Sequence, residues 1–212
     1  MKILNEISEN VIKGDADGVA ELVQKALNER IDLQEIMHEG MVSGMTVIGE
    51  RFKNNEIFLP EMMVAARAMN AGLDIIEPLI AESNARYVGK VVIGTVKDDL
   101  HDVGKNMVKI MFKGSGFQVF DLGIDVSPDE FVQAAKKNNV DLIALSALLT
   151  LTVHNMKGTI EVIEEAGFKN ETKIMVGGAP VTQNIADQVG ADGYAPDCAR
   201  AVEKAKELLG LL

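Results

Sequence analysis

The sequence predicts an N-terminal four-helix bundle followed by a C-terminal α/β domain on a five-stranded parallel sheet. Three observations carry this. Apolar residues recur with a helical period over the first 85 positions, strand-like apolar runs alternate with helical segments after about residue 88, and 13 of the 19 glycines lie beyond residue 87, mostly at strand ends. The boundary therefore falls between a helical domain, 1–85, and a sheet domain, 86–212, with 82–89 as linker.

In the first domain, Ile3, Ile7 and Val11 mark one helix, and Val19, Val23, Ala26 and Leu27 a second. Between them Asp15 and Asp17, flanked by Gly14 and Gly18, resemble a calcium loop. The run lacks the spaced downstream ligands of an EF-hand, so a turn and helix cap fits better. Met37, Met41, Met45 and Ile48 form a third apolar stripe. Gly40 and Gly44 interrupt it at a cost of about 1 kcal/mol each relative to Ala, which points to close approach by another helix or a ligand. Leu59, Met62, Ala66, Met69, Leu73, Ile76 and Ile80, spaced by three and four, form one face of a long fourth helix. Pro60 is harmless near its start, and Pro78 is expected to kink its end.

In the second domain, strands are expected at 90–96, 117–122, 141–146, 173–176 and 193–194. Helices are expected at 103–113, from Ser127 onward, up to about 166, at 181–189 and at 196–209. Ser127-Pro128-Asp129-Glu130 carries a Ser cap, Pro at the first helical position and Glu at the third. The strands show little outward polar alternation, which argues a parallel sheet covered on both faces.

Composition narrows the function. The chain has 212 residues, is 47% hydrophobic and 25% charged, and so matches an ordinary globular protein. Thirty-two acidic against 21 basic side chains give a net charge of −11. Such a chain repels phosphate, and with 4% aromatics and no Trp it has little with which to stack bases, so neither nucleic acid nor membrane is an expected partner. A single cysteine, Cys198, makes no internal disulfide and holds no zinc alone. The N-terminus lacks an apolar core of signal-peptide length, and the longest near-apolar run, 142–153, is too short to span a bilayer. A cytoplasmic location is expected. His38 and His154 fall within helical patterns and fit structural or surface roles.

The sharpest motif follows the first strand: Asp98-Asp99-Leu100-His101-Asp102-Val103-Gly104-Lys105-Asn106. Asp99 and His101 are two apart, which in an extended loop lets the carboxylate reach Nδ1–H and raise the basicity of Nε2, as for metal-bound histidines. Gly104 would let the chain turn tightly into the helix. A receiver domain would need an acid at the end of the third strand and a Lys after the fifth, where Ala144-Leu145-Ser146-Ala147-Leu148 and Tyr194-Ala195-Pro196 supply neither. No GxxxxGK[ST] is present, and no GxGxxG follows the first strand. From the residues alone, a metal ligand and a loop histidine bonded to Asp for structure both stay open. Ser146-x-Leu148-x-Thr150 and Gly177-Gly178 lie on the same sheet edge, where small residues leave a slot and hydroxyls line it.

Asp99-x-His101-x-x-Gly104, Ser146-x-Leu148-x-Thr150 and Gly177-Gly178 together resemble the cobalamin-binding domains of the methionine synthase type. The wider stretches 94–96, 101–106, 178–182 and 190–195, with 58–63 and 65–69 in the helical part, resemble the small corrinoid proteins of methyltransferase systems over essentially the whole chain. The resemblance implies a Rossmann-like, flavodoxin-like sheet domain with a helical cap, and cobalamin or a related corrinoid bound base-off. His101 Nε2 would be the lower cobalt ligand, with Asp99 bonded to His101. Thr152 would stand where the family often has Ser. Ser146 and Thr150 would line the slot for the nucleotide tail, with Gly94, Gly177 and Gly178 giving it room. Phe58, Leu59 and Met62 would cover the upper corrin face, Met63 being a further candidate. Asp102, Val103, Gly104, Leu148, Ala179 and Tyr194 complete the implied cofactor contacts. One position departs from the pattern: Asp98 stands where the family usually has Gly, which restricts the loop backbone or adds negative charge near the ligand.

The resemblance also implies a methyl carrier, not catalytic without its partners. It would accept a methyl group on Co(I) from a substrate-specific methyltransferase and pass it to a second methyltransferase acting on tetrahydrofolate or a thiol. A reductive activator is a further expected partner, and self-association is compatible. Methoxylated aromatics, methylamines, methanol and betaines are the donor classes, with O-demethylation of a methoxylated aromatic, or demethylation of another methylated small compound, preferred. A cobalamin-dependent sensor is the alternative, although no basic DNA-recognition helix is visible. A mutase subunit would pair with a large barrel and leave the helical part unexplained.

Overall fold

The computed structural model describes residues 2–80, 83, 85–167 and 172–211; Glu82 and Asn84 of the expected linker lie outside these. The chain divides into two units, one of residues 1–88 with 113–116, the other of 89–112 with 117–212.

The first unit is helical. Helix α1 (Lys2–Lys13) buries Ile3, Leu4, Ile7 and Val11, and α2 (Ala16–Asn28) buries Val19, Val23 and Ala26. Asp15 is the N-cap of α2, its carboxylate accepting from Gly18 N–H at 3.0 Å, so the Asp-Gly run is a turn and cap. The third stripe is one helical rod with a defect. A short α3 (Leu33–Glu35) runs into a π-helical stretch, Ile36–Val42, and then into α4 (Ser43–Lys53). Ser43 N–H donates to His38 O, five residues back, which is the π pattern. Met37, Met41, Met45 and Ile48 are all buried along this rod.

Its glycines serve helix packing. A Cβ at Gly40 would meet Ile7 at 3.2 Å, and one at Gly44 would meet Ser8 O at 2.8 Å, so α1 crosses here at a distance that only Gly allows. Helix α5 (Leu59–Ile80) is the longest, with Pro78 inside it, and buries Met62, Ala66, Met69, Leu73, Ile76 and Ile80 on one face. The chain after α5 is fastened to the same unit. Gln34 donates through Nε2 to Arg86 O at 3.2 Å and accepts Arg86 N–H at 2.7 Å, and His38 Nε2 lies 3.4 Å from the same carbonyl.

The second unit is a parallel sheet of five strands in the order β2-β1-β3-β4-β5: β1 (Lys90–Thr95), β2 (Gln118–Asp121), β3 (Leu142–Ser146), β4 (Lys173–Gly177) and β5 (Gly193–Ala195). Helices α6 (Val103–Gly114), α7 (Pro128–Asn138), α8 (Val153–Glu165), α9 (Gln183–Val189) and α10 (Cys198–Leu208) connect and follow them. Ser127 and Glu130 form the expected capping box on α7, with Pro128 in its first turn. One core layer joins Val92, Ile143, Leu145, Ile174 and Val176 of the strands, with Val96 just beyond β1, to Phe131, Met156, Ile160 and Ile163 of α7 and α8.

Chain order reverses between β1 and β3, and an open parallel sheet binds ligands at the carboxyl ends of strands at such a switch point. Register puts Thr95, Ser146, Gly177 and Ala195 on one level across four strands. The segments that follow these residues therefore leave the sheet along one rim.

Candidate functional site

The segment after β1 carries Asp99 and His101. Asp99 is fully buried, and its two oxygens accept from five donors. Oδ1 accepts His101 N–H at 3.1 Å and lies 2.8 Å from His101 Nδ1. Oδ2 accepts the Thr152 hydroxyl at 2.6 Å, Leu148 N–H at 2.8 Å and Leu149 N–H at 3.3 Å. Burial alone would push this carboxyl up. The hydrogen bonds from Thr152, Leu148 and His101 outweigh it and hold Asp99 ionised, well below the usual carboxylate range.

His101 is held at three points. Its ring and its N–H both meet Asp99, and its carbonyl accepts the hydroxyl of the buried Thr95 at 2.8 Å. The carboxylate at Nδ1 fixes the proton there, so Nε2 carries the lone pair. Among the described residues nothing hydrogen-bonds Nε2, and the side chain is 48% exposed. Around it the surface is apolar: Leu100, Val103, Leu148, Leu149 and Leu151 are all exposed on the segments after β1 and β3. Large apolar side chains crowded on one rim are unusual for a bare surface and mark a place where something apolar docks.

The remaining expected positions divide. Ser146 is half-buried at the end of β3, Thr150 is exposed and Thr152 is buried. Gly177 and Gly178 end β4. Gly178 has φ +128°, and a Cβ there would stand 1.8 Å from Ala147 O, so the chain leaving β3 runs directly over it. Ala179 is exposed beyond it, and Tyr194 is half-buried on β5.

The space beside Gly94 is taken by the Phe131 ring, 2.7 Å from where a Cβ would be. Gly104 departs from expectation. It lies in the first turn of α6 without positive φ, and a Cβ there would meet nothing, so no tight turn requires it; it leaves open space on the surface close to His101. Asp102 is exposed and accepts Asn106 N–H at 2.7 Å and Asn106 Nδ2 at 3.0 Å. In the helical unit Phe58 is exposed, Leu59 half-buried, Met62 fully buried and Met63 exposed.

Three groups received no role of their own from the sequence. Thr95 gave no periodic signal, being one hydroxyl in an apolar strand. Lys105 is 3% exposed, yet charged. Its Nζ meets Asp121 Oδ1 at 2.7 Å and Asn106 Oδ1 at 2.8 Å, while Lys109 Nζ meets Asp121 Oδ2 at 2.7 Å. This cluster fastens α6 to the end of β2. Burial pushes the Asp121 carboxyl up, but the two lysines and Gly123 N–H bring it down to about 2. Asp125 and Asn155 are the third group, both bonded to the His101 segment.

Among the described residues no group of three or more His, Cys, Asp or Glu is arranged to hold a metal ion, and no helix is long and apolar enough to cross a membrane. The rim offers one imidazole nitrogen, His101 Nε2, among exposed apolar side chains.

Two family models match the chain, each a B12 binding domain, one over residues 3–77 and one over residues 89–203. A corrinoid protein of Desulfitobacterium hafniense (strain Y51) is 44% identical over 213 residues, covering 99% of this chain and 99% of that protein. The dimethylamine corrinoid protein of Methanosarcina barkeri is 42% identical over 209 residues, covering 98% of each. In the crystal structure of the methanol:cobalamin methyltransferase complex from Methanosarcina barkeri, one chain superposes with a TM-score of 0.89 at 28% identity. The match covers 99% of this chain and 80% of that one.

Proposed function

This chain belongs to the family of corrinoid proteins with B12 binding domains, and from that premise we propose that it is a methyl carrier. It holds cobalamin or a related corrinoid through His101 and serves a methyltransferase that takes methyl groups from a small donor. The observation that carries the reading is a half-exposed His101 on a rim of exposed Leu and Val side chains, its Nδ1 held by buried Asp99 and its Nε2 turned to no protein group.

The residues present fit the group. A corrin carries its own ring nitrogens, so the protein would need to supply one further donor, His101 Nε2, and an apolar seat, and the rim has both. When bound, cobalamin supplies a cobalt ion that takes up and releases a methyl group. The chain's own part is to set the strength of the axial donor. Asp99 keeps the proton on Nδ1 and leaves the Nε2 lone pair available. Thr152, Leu148 and Leu149 in turn hold Asp99, so that the His101 ring would keep its orientation toward the bound group. Ser146, Thr150, Gly177 and Gly178 are the hydroxyls and small residues proposed for the nucleotide tail.

The 42% identity to the dimethylamine corrinoid protein favours a methylated amine as donor over the methoxylated aromatic expected from the sequence. The likeness to a chain of the methanol complex supports a substrate-specific methyltransferase as the first partner. Tetrahydrofolate or a thiol remains the proposed final acceptor class.

The test is the visible spectrum of the full chain mixed with cobalamin. Wild type should give the histidine-ligated form. His101→Ala should still bind but lose that form, and an unchanged spectrum would remove His101 as ligand. Incubating the reduced, loaded protein with candidate methyltransferases and methylated amines then tests the donor class.

Gly104 supplies a second prediction. Gly104→Ala adds a methyl where the protein has open space and improves helix propensity, so the free chain should be more stable by about 0.5–1 kcal/mol. The same methyl stands where the corrin is proposed to sit, so cobalamin should bind more weakly. Tighter binding together with higher stability would place the corrin elsewhere.

A further inference from the structure

We infer that Asp125 and Asn155 are positioning residues for the segment that carries His101, holding it from the segments that follow the two strands flanking β1. The inference rests on the reading of His101 as the lower ligand, and it concerns residues outside the Asp99–Thr152 pair.

Strand β1 lies between β2 and β3, so the segment leaving it has a neighbour on either side. On the β2 side stands Asp125. Its Oδ1 accepts Asp98 N–H at 2.8 Å and meets Lys97 Nζ at 2.9 Å, and its own N–H donates to Asp99 O at 3.0 Å. One residue thus grips 97, 98 and 99 in succession, and 99 is the residue that orients the His101 ring. The Asp98 N–H and the Lys97 ammonium also hold the Asp125 carboxyl below its ordinary range. On the β3 side stands Asn155, in the first turn of α8. Its Nδ2 donates to Lys97 O at 2.6 Å and lies 3.5 Å from Asp98 Oδ2.

The grip matters because of the backbone it restrains. Asp98 has φ +67° and Asp125 φ +56°, conformations that a side chain other than Gly adopts at a cost. The left-handed conformation at Asp98 is one that Gly adopts at no steric cost, and the contacts of Asp98 with Asp125 and Asn155 help hold an Asp in it. With these partners gone, the segment is free to relax, and the relaxation reaches His101 through Asp99.

The test compares Asp125→Ala, Asp125→Asn and Asn155→Ala in the full chain. Without cofactor, amide exchange at Asp98, Asp99 and His101 should quicken by about three- to tenfold in Asp125→Ala, with strand β4 amides unchanged. Loaded with cobalamin, the same variant should show a smaller histidine-ligated fraction in the visible spectrum. Asp125→Asn should restore both, because the amide oxygen still accepts Asp98 N–H and only an exposed ion pair is lost. Wild-type exchange at His101 in Asp125→Ala, or equal damage in Asp125→Asn, would overturn the inference. Should Asp125→Ala also expose β4 amides, Asn155→Ala carries the same comparison. If His101→Ala leaves the spectrum unchanged, the ligand reading fails, while the exchange measurement still decides the positioning role.

Discussion

Asp99→Ala should cost the protein roughly 2–5 kcal/mol of folding stability, read from denaturant unfolding of the chain without cofactor. The magnitude follows from what is left behind. The Leu148 N–H, now satisfied at 2.8 Å, would face a cavity with no acceptor, the Thr152 hydroxyl would lose its 2.6 Å bond and keep only Leu149 O at 2.9 Å, and His101 would lose the partner of its Nδ1. A buried donor left unpaired costs more than the net worth of the bond it made.

The pH dependence has a definite sign. The folded Asp99 carboxyl lies below its ordinary value of about 4, so its contribution is complete above that value and is lost as pH falls through the folded one. Asp121, brought down to about 2, acts in the same direction. Wild type should therefore weaken on acidification below about pH 5, and Asp99→Asn should weaken less steeply over the same range. A parallel acid profile for both would show that Asp99 is not held ionised by its partners.

Gly178→Ala is the second large effect, expected at about 3–5 kcal/mol. At φ +128° the backbone is one that only Gly adopts readily, and the new methyl would lie 1.8 Å from Ala147 O. The obstacle is main chain at the end of β3, so no side-chain rotation relieves it. Either β3 and β4 separate at their carboxyl ends or the Gly178 peptide turns over, and both displace the segment that carries Leu148 and Thr152. A Tm within about two degrees of wild type would mean that the turn after β4 yields without strain.

Much of this was legible because the signals were local and periodic. The alternation of three and four along Leu59–Ile80 marks one helical face and little else, and Ser127-Pro128-Asp129-Glu130 writes a helix start in four residues. Asp99 and His101 were legible as a pair because they stand two positions apart. What lay hidden depends on distance or on an ambiguous period. Met37, Met41 and Met45 recur every four residues, a spacing that suits the π-helical stretch as well as an ordinary helix, so the pattern could not reveal it. Asp125 meets Asp98 across 27 positions and Asn155 meets Lys97 across 58, and neither stands out in composition. Glycines were visible as glycines, but their uses were not. Gly40 and Gly44 admit α1, Gly94 admits Phe131, and Gly104 leaves open space, and only the fold distinguishes these.

The Asp99 hub also sets the order in which the molecule can come together. Its bonds to Leu148, Leu149 and Thr152 close loops of 49, 50 and 53 residues, whereas its bonds to His101 span only two. Closing loops of that length carries an entropic cost that local pairing does not, so the hub completes only after β1 and β3 have found each other. A nascent or heat-frayed chain can hold its helices and still present an unanchored histidine. The fully anchored imidazole is therefore a late product of folding, complete only in chains whose β1 and β3 are already paired.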